Sequence, residues 1–204
     1  MTSPDEERAL RDLGTFLRGL SHGEGAAIVQ VQILAQSDAV TDAERRFLTE
    51  VMLGQEHTHQ QQARAWATRL GATSGDVEFT ALFGRDLGLT PHLRDPVRTA
   101  WALTMLRFAE ERVLRNFPRW GRRLREWQPE LAETLDGIAA DERAHVTLDH
   151  AIAQRWQTER PELARVHETL YRQARLIYPL VISRAVARAW RRIDALLDGR
   201  RADR

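Results

Sequence analysis

The sequence predicts an all-α protein built around a four-helix bundle. Apolar residues recur at helical spacing in six long segments, and no stretch shows the sustained alternation of a strand. Capping residues and prolines lie where these segments begin. The 204 residues, 43% of them hydrophobic and 29% charged, suffice for one domain with a full core. We therefore expect residues 1–204 to form a single domain.

The first two predicted helices each begin at a capping box. One spans about 5–36 after Ser3-Pro4-Asp5-Glu6, and the glycine-containing stretch Gly19 to Gly23 is a candidate break within it. The next spans 42–70 after Thr41-Asp42-Ala43-Glu44. The link between the two helices is short, which makes them antiparallel neighbours.

A second pair of helices is predicted at 96–125 and 129–156, and each begins at a proline. The connection between the two pairs, residues 71–95, is long enough to be a crossover, so that the third helix starts at the far end of the bundle. Residues 1–157 are therefore expected to form a four-helix bundle with a long crossover between its second and third helices.

The C-terminal part, residues 158–204, is expected to add two helices near 161–176 and 180–198, on either side of Pro179. The longest apolar run, Leu176 to Ile182, is too short for a membrane span. The N-terminal residues lack the pattern of a signal peptide. We expect a cytoplasmic protein with no membrane partner.

The composition excludes several kinds of chemistry. All 30 basic residues are arginine, and the chain has neither lysine nor cysteine. A Schiff base, a phosphate-binding lysine loop, a thiolate nucleophile, a disulfide and a cysteine-ligated metal or cluster are therefore absent from the chain. The net charge of +1 gives no reason to expect a nucleic-acid partner. The groups that remain available for catalysis or metal binding are carboxylates, imidazoles, hydroxyls and guanidinium groups.

Two Glu-x-x-His motifs point to a metal site. Residues i and i+3 of a helix share a face, so Glu56 and His59 can reach one metal ion, and so can Glu142 and His145. Both motifs lie within apolar stripes, where a carboxylate is costly unless something compensates its charge. The stripe around Glu56 comprises Thr49, Met52, Leu53, His59, Ala63, Trp66, Ala67 and Leu70, and that around Glu142 comprises Leu131, Leu135, Ile138, His145, Val146, Ile152 and Trp156.

The other two helices of the bundle each offer one glutamate on an apolar face. Glu24 is the only acidic residue on its stripe in the first helix. In the third helix Glu110 lies among apolar residues, whereas its neighbour Glu111 is about 100° away on a polar face. Glu24 precedes Glu56 by 32 residues, and Glu110 precedes Glu142 by the same interval. Such spacing is what a duplicated helix pair would produce.

This pattern resembles the ferritin-like di-iron and di-manganese carboxylate proteins, whose bundles carry one Glu from each of two helices and a Glu-x-x-His from each of the others. The resemblance covers about residues 20–156 and implies a ferritin-like bundle. Oxygen ligands and one imidazole per ion suit two iron ions, two manganese ions or a mixed pair. The implied ligands are Glu24, Glu56 and His59 for one ion and Glu110, Glu142 and His145 for the other.

The resemblance also implies roles around the ions. The glutamates of the two motifs, Glu56 and Glu142, are expected to bridge them. Asp141, directly before the second motif, is expected to hydrogen-bond His59 of the opposite helix, and Gln55 occupies the corresponding place before the first motif.

Asp149 has no acidic counterpart in the first half of the bundle. It lies one turn past His145 on the inward face, where Ala63 takes the equivalent position after Glu56. It is a candidate for an outer acid or an extra ligand, and a salt bridge to an arginine is the competing interpretation. The remaining histidines are expected to be exposed or capping residues, namely His22, His57, His92, His150 and His167.

The resemblance implies a di-iron oxidase or oxygenase that uses dioxygen to oxidise a small organic substrate, with no catalytic residue beyond the metal ligands. An external electron donor and a homodimer are compatible with it. Two other functions stay open: a ferroxidase or iron-handling ferritin relative, and a non-redox metal-dependent hydrolase. The hydrolase is suggested by Gly54-Gln55-Glu56 to His59, which is similar to a bacterial family described as predicted metal-dependent hydrolases.

Overall fold

A computed structural model of the protein describes residues 4–72 and 95–181. Within these ranges the chain is helical and contains no strand, which confirms the predicted all-α class. Three predicted features lie outside the described residues: the capping box at Ser3, most of the 71–95 connection and most of the helix at 180–198. No helix in the described ranges is long and apolar enough to cross a membrane.

The helices follow the predicted segments closely. The last one continues beyond position 176 and includes Pro179, and the predicted second helix contains one π-helical turn. The elements are α1 (Pro4–Gln36), α2 (Asp42–Phe47), the π-helical turn (Leu48–Met52), α3 (Leu53–Arg69), α4 (Val97–Leu124), α5 (Pro129–Glu159) and α6 (Pro161–Val181).

The predicted capping box at Thr41 forms and also ties α2 to α5. The Thr41 side chain accepts the backbone N–H of Glu44 at 3.2 Å, and the Glu44 carboxylate accepts the backbone N–H of Thr41 at 2.7 Å. The same carboxylate accepts two hydrogen bonds from the Arg155 guanidinium, at 2.6 and 3.1 Å. Glu44 therefore both caps the start of α2 and binds Arg155 near the C-terminal end of α5.

The candidate break at Gly19 to Gly23 does not occur, and α1 is continuous from Pro4 to Gln36. Another of its glycines allows the end of α3 to approach closely. A Cβ atom at Gly14 would lie 3.2 Å from the Ala67 carbonyl oxygen and 3.1 Å from Leu70 Cβ. This glycine serves helix packing, which offsets its poor helix propensity.

The helices pack in two pairs, α1 with α3 and α4 with α5, while α6 lies against α4 and α5. Two hydrophobic clusters fill the interior. The first cluster includes residues of α1 near position 17, the end of α3, the end of α4 and the start of α5. The second cluster includes the end of α1, the π-helical turn, the start of α4 and the end of α5. Each bundle helix therefore buries apolar side chains towards both ends, and its middle lies between the two clusters.

The π-helical turn changes which side chains enter the core. Leu48 and Met52 are fully buried, whereas Thr49, which an uninterrupted α-helix would place on the Glu56 face, is exposed. The inward placement of Thr49 was therefore wrong. A π turn adds one residue to the helix, so positions before it shift by one relative to those after it. The turn lets the second hydrophobic cluster and the Glu56 face lie on the same side.

Replacing the two residues at this turn separately tests the register. We expect Leu48→Ala to lower the free energy of unfolding by about 2–5 kcal/mol, because it leaves a cavity in the core. Thr49→Ala should change it by less than about 0.5 kcal/mol, because the site is exposed. Urea denaturation of both variants would measure these values. A larger loss at Thr49 than at Leu48 would show that the helix has the regular α-helical register.

Candidate metal centre

Four helices bring the six predicted ligands together midway between the two hydrophobic clusters. Glu56 lies in the first turn of α3, just after the π-helical turn, and the other side chains lie farther inside their helices. None of the six residues is more than 5% exposed. Their positions follow from helical periodicity, since each lies at core-facing spacing from the apolar residues on either side. The contributors are Glu24 from α1, Glu56 and His59 from α3, Glu110 from α4, and Glu142 and His145 from α5.

The six residues form two overlapping groups. In each group, every residue offers one ligand atom, and these atoms all lie within 4.8 Å of one another. Glu56 and Glu142 belong to both groups, which is the arrangement that bridging carboxylates require. The groups are Glu24, Glu56, His59 and Glu142, and Glu56, Glu110, Glu142 and His145.

Both imidazoles turn Nδ1 towards the carboxylates. His59 Nδ1 lies 3.4 Å from Glu142 Oε1, and His145 Nδ1 lies 3.1 Å from Glu142 Oε2. His145 Nδ1 is also 3.2 Å from Glu56 Oε1 and 4.0 Å from Glu110 Oε1. The carboxylate of Glu142 therefore lies between the two histidines, one oxygen facing each.

The outer nitrogens of the imidazoles are held by residues of the opposite helix. His59 Nε2 lies 3.1 Å from Asp141 Oδ2, the pair expected from the sequence, and His145 Nε2 lies 2.9 Å from Gln55 Oε1. Both partners present acceptor oxygens, so Nε2 carries the proton. In the neutral tautomer Nδ1 then has a free lone pair, and this lone pair points into the carboxylate cluster.

Many polar atoms of this cluster lack an ordinary partner. Both oxygens of Glu56, both of Glu110 and Nδ1 of His59 are buried without a hydrogen bond. Among the described residues, histidines alone approach the glutamates as potential cations, and no arginine pairs with them. Buried carboxylates in this state are unfavourable. A divalent cation fits the donor set, since it would satisfy the oxygens and the Nδ1 lone pairs together.

Burial and mutual repulsion shift the pKa values within the cluster. Burial, reinforced by neighbouring carboxylates, raises the pKa of Glu24 and of Glu110 well above the usual range. Burial disfavours charge on His145, but its contacts with Glu142 and Glu56 outweigh this and raise its pKa to about 10. Burial opposes ionisation of Glu142 too, yet its contacts with both histidines lower its pKa. Without a cation, protons compensate the carboxylate charge.

Glu111 faces away from the cluster, unlike Glu110. Its carboxylate accepts hydrogen bonds from the Tyr171 hydroxyl, from Arg107 Nε at 2.9 Å and from His150 Nε2 at 3.1 Å. These donors outweigh the effect of burial and lower the pKa of Glu111. Two adjacent glutamates thus have different environments, and the polar one belongs to the contact between α4, α5 and α6.

Asp149 is fully buried beside Glu110. Its negative charge contributes to the raised pKa of Glu110, and both oxygens of Asp149 lack a hydrogen-bond partner among the described residues. None of the ion pairs formed within residues 4–72 and 95–181 includes Asp149, so these residues do not provide the salt bridge considered above. Burial raises the pKa of Asp149 to about 7, although Glu110 and His145 act in the opposite direction and lower it.

The expectation that His167 is exposed or a helix cap was wrong. This residue lies on α6 and is buried against α4 and α5, where its Nδ1 lies 2.9 Å from Thr104 Oγ1 and its ring is edge-to-face with Trp156. Burial, with the nearby positive charge of Arg107, lowers its pKa to about 4, so it is neutral. Its spacing of four residues from Leu163 and from Tyr171 was the sequence signal for an inward face.

Comparison of the chain with known protein families, with curated proteins and with solved structures finds no significant match.

The metal-free protein is expected to lose stability as the pH rises from about 6 to 9. His59 and His145 have raised pKa values, so their contribution is complete below the unfolded pKa of about 6.5 and is lost as the pH rises through the folded pKa. Glu24 and Glu110 have raised pKa values as well, so ionisation of the unfolded chain above about 4.5 also favours unfolding. Each group contributes at most about 1.4 kcal/mol per pH unit.

Urea unfolding in the presence of a chelator at pH 6, 7.5 and 9 would measure this dependence. His145→Gln should make the free energy of unfolding less dependent on pH, because one of the titrating groups is gone. Saturating divalent metal should oppose the trend, since ligands bind metal in their deprotonated forms. A metal-free stability that rises with pH across this window would contradict the expectation.

Proposed function

We propose that the protein is a ferritin-like non-haem di-iron oxidoreductase that uses dioxygen to oxidise a small organic substrate. The observation that supports this most strongly is the pair of imidazoles whose Nδ1 atoms face buried carboxylates while Asp141 and Gln55 hold their Nε2 atoms. Any buried imidazole N–H needs an acceptor, but here the other nitrogen of each ring faces buried carboxylates. In a metal-binding histidine the outer partner sets the tautomer and orientation that such a placement needs.

The donor set favours iron or manganese. Each metal position would receive one imidazole nitrogen and several carboxylate oxygens, and the chain has no cysteine that would favour a softer metal. Glu56 and Glu142 belong to both groups of candidate ligands, whereas Glu24 and Glu110 each belong to one. Two ions sharing two carboxylates would form one dinuclear centre.

A pair of iron(II) ions bound here would supply electrons for the reduction of dioxygen. The protein's own residues position and shield the centre. Asp141 and Gln55 keep the imidazoles in the metal-binding tautomer, and the hydrophobic clusters on both sides keep water away. Neither oxygen of Glu56 and neither oxygen of Glu110 accepts a hydrogen bond. These two carboxylates are therefore free to change between binding modes.

Metal content and oxygen consumption test the proposal. We expect about two iron ions per chain in protein reconstituted under nitrogen, and oxygen uptake when air is admitted. Glu56→Ala should lose at least one ion and most of the uptake, because a carboxylate shared by both positions is gone. Glu50→Ala, which removes an exposed carboxylate six residues earlier, is the matched control and should retain both properties.

A second matched pair tests the orientation of α4. Glu110→Gln should reduce the iron content, whereas Glu111→Gln should leave it near the wild-type value, because Glu111 contacts Tyr171 and Arg107 instead of the cluster. Wild-type protein without bound metal and without oxygen uptake would refute the proposal. Hydrolytic activity of the zinc-loaded protein in the absence of oxygen would favour a hydrolase. Rapid oxidation of iron(II) with no oxidised organic product would favour a ferroxidase.

A further inference from the structure

The two groups of candidate ligands contain the same kinds of donor. Each offers three carboxylates and one imidazole, and every one of these residues is buried. Two ions bound here would therefore have similar ligands. A difference between the two metal positions has to come from residues that lie outside these groups. The groups are Glu24, Glu56, His59 and Glu142, and Glu56, Glu110, Glu142 and His145.

The outer partners of the two imidazoles differ in charge. Asp141 Oδ2 lies 3.1 Å from His59 Nε2, and Gln55 Oε1 lies 2.9 Å from His145 Nε2. In both contacts an oxygen from the opposite helix accepts the Nε2 proton, so the geometry is similar. The acceptor is a carboxylate in one contact and a neutral amide in the other. A charged acceptor forms the stronger hydrogen bond, and it increases the electron density that the imidazole offers through Nδ1.

The contacts on the inner nitrogens do not remove this difference. Burial disfavours charge on His145, but its contacts with Glu142 and Glu56 raise its pKa to about 10. These two glutamates are candidate ligands, so a bound ion would replace their contacts with Nδ1. The hydrogen bond between Asp141 and His59 lies on the outer side of the ring, where a bound ion would leave it in place. The comparison that matters for bound ions is therefore Asp141 against Gln55.

We propose that Asp141 makes the two metal positions unequal, with the tighter binding in the group that contains His59. The inference rests on the dinuclear centre proposed above and deepens it. Asp141 acts through the imidazole, so it is a positioning residue and not a ligand. Loss of such an outer partner typically lowers metal affinity by about 10–100-fold. The Asp141 side chain is 41% exposed, and solvent screens its charge, so we expect an effect near the lower end of this range.

Stepwise binding of Mn²⁺ to the metal-free full chain, measured by equilibrium dialysis, tests this proposal. Two ions that share Glu56 and Glu142 repel each other, so unequal constants in the wild type would not identify their cause. Exchanges of charge without a change of size identify it. Asp141→Asn keeps an acceptor oxygen for His59, and it should lower the tighter binding constant about tenfold and leave the weaker one unchanged. A residue that only orients His59 would tolerate this change.

The reciprocal exchange tests the other imidazole. Gln55→Glu gives His145 a charged partner and should raise the weaker binding constant by a similar factor. Each single variant thus brings the two constants closer together. The double variant, Asp141→Asn with Gln55→Glu, should separate them again, because the charged partner has moved from one imidazole to the other.

Two control variants complete the experiment. Glu133→Gln removes an exposed carboxylate from the same helix as Asp141 and should leave both constants unchanged. Asp149→Asn removes the other acidic residue without a counterpart in the first half, and it should leave the tighter constant unchanged, because Asp149 belongs to neither group of candidate ligands. The circular dichroism of each metal-free variant should match that of the wild type, which shows that the variant is folded.

The possible failures are distinguishable. Wild-type protein that binds no Mn²⁺ would refute the dinuclear centre, and the role of Asp141 with it. Two bound ions, together with an unchanged tighter constant in Asp141→Asn, would refute only the role of Asp141. An equal loss in both constants of this variant would also overturn that role, since it would reveal a general effect of charge. A fall of the tighter constant in Asp149→Asn would assign the inequality to Asp149 instead.

Discussion

The central constraint on this molecule is the burial of four glutamates and an aspartate with only two imidazoles as potential cations. The chain has 30 arginines, but among the described residues none forms an ion pair with this cluster. The ion pairs of arginine lie elsewhere, as between Arg155 and Glu44. Desolvation of several carboxylates at one place is among the most unfavourable arrangements in a protein interior. The rest of the bundle has to supply enough apolar burial to tolerate it.

The two hydrophobic clusters meet this requirement by their placement on both sides of the polar residues. Every bundle helix contributes apolar side chains to both clusters, and each offers its acidic residues from the region between them. Helix packing at both ends therefore holds the carboxylates in place even when they repel one another. The π-helical turn contributes to this arrangement, because it brings Leu48 and Met52 into one cluster while Glu56 faces the centre.

Helical periodicity was enough to predict which residues meet at the centre of the bundle, since the six candidate ligands lie at core-facing positions of long helices. It distinguished Glu110 from Glu111 because the two differ by about 100° on one helix. It failed where the outcome depends on neighbouring helices. The exposure of Thr49 follows from a π turn, and the burial of His167 follows from the docking of α6. The spacing of His167 indicated an inward face on α6, but not which helices would cover it.

The imperfect symmetry of the two halves has a physical consequence. The second half has aspartates, Asp141 and Asp149, at the two places where the first half has Gln55 and Ala63. Asp141 contacts the outer nitrogen of His59, where its charge strengthens that imidazole as an electron donor, while the neutral amide of Gln55 does less for His145. Asp149 is a buried acidic residue at the place where the first half has the buried Ala63. Two ions bound between the halves would therefore meet unequal imidazoles and an uneven distribution of carboxylates.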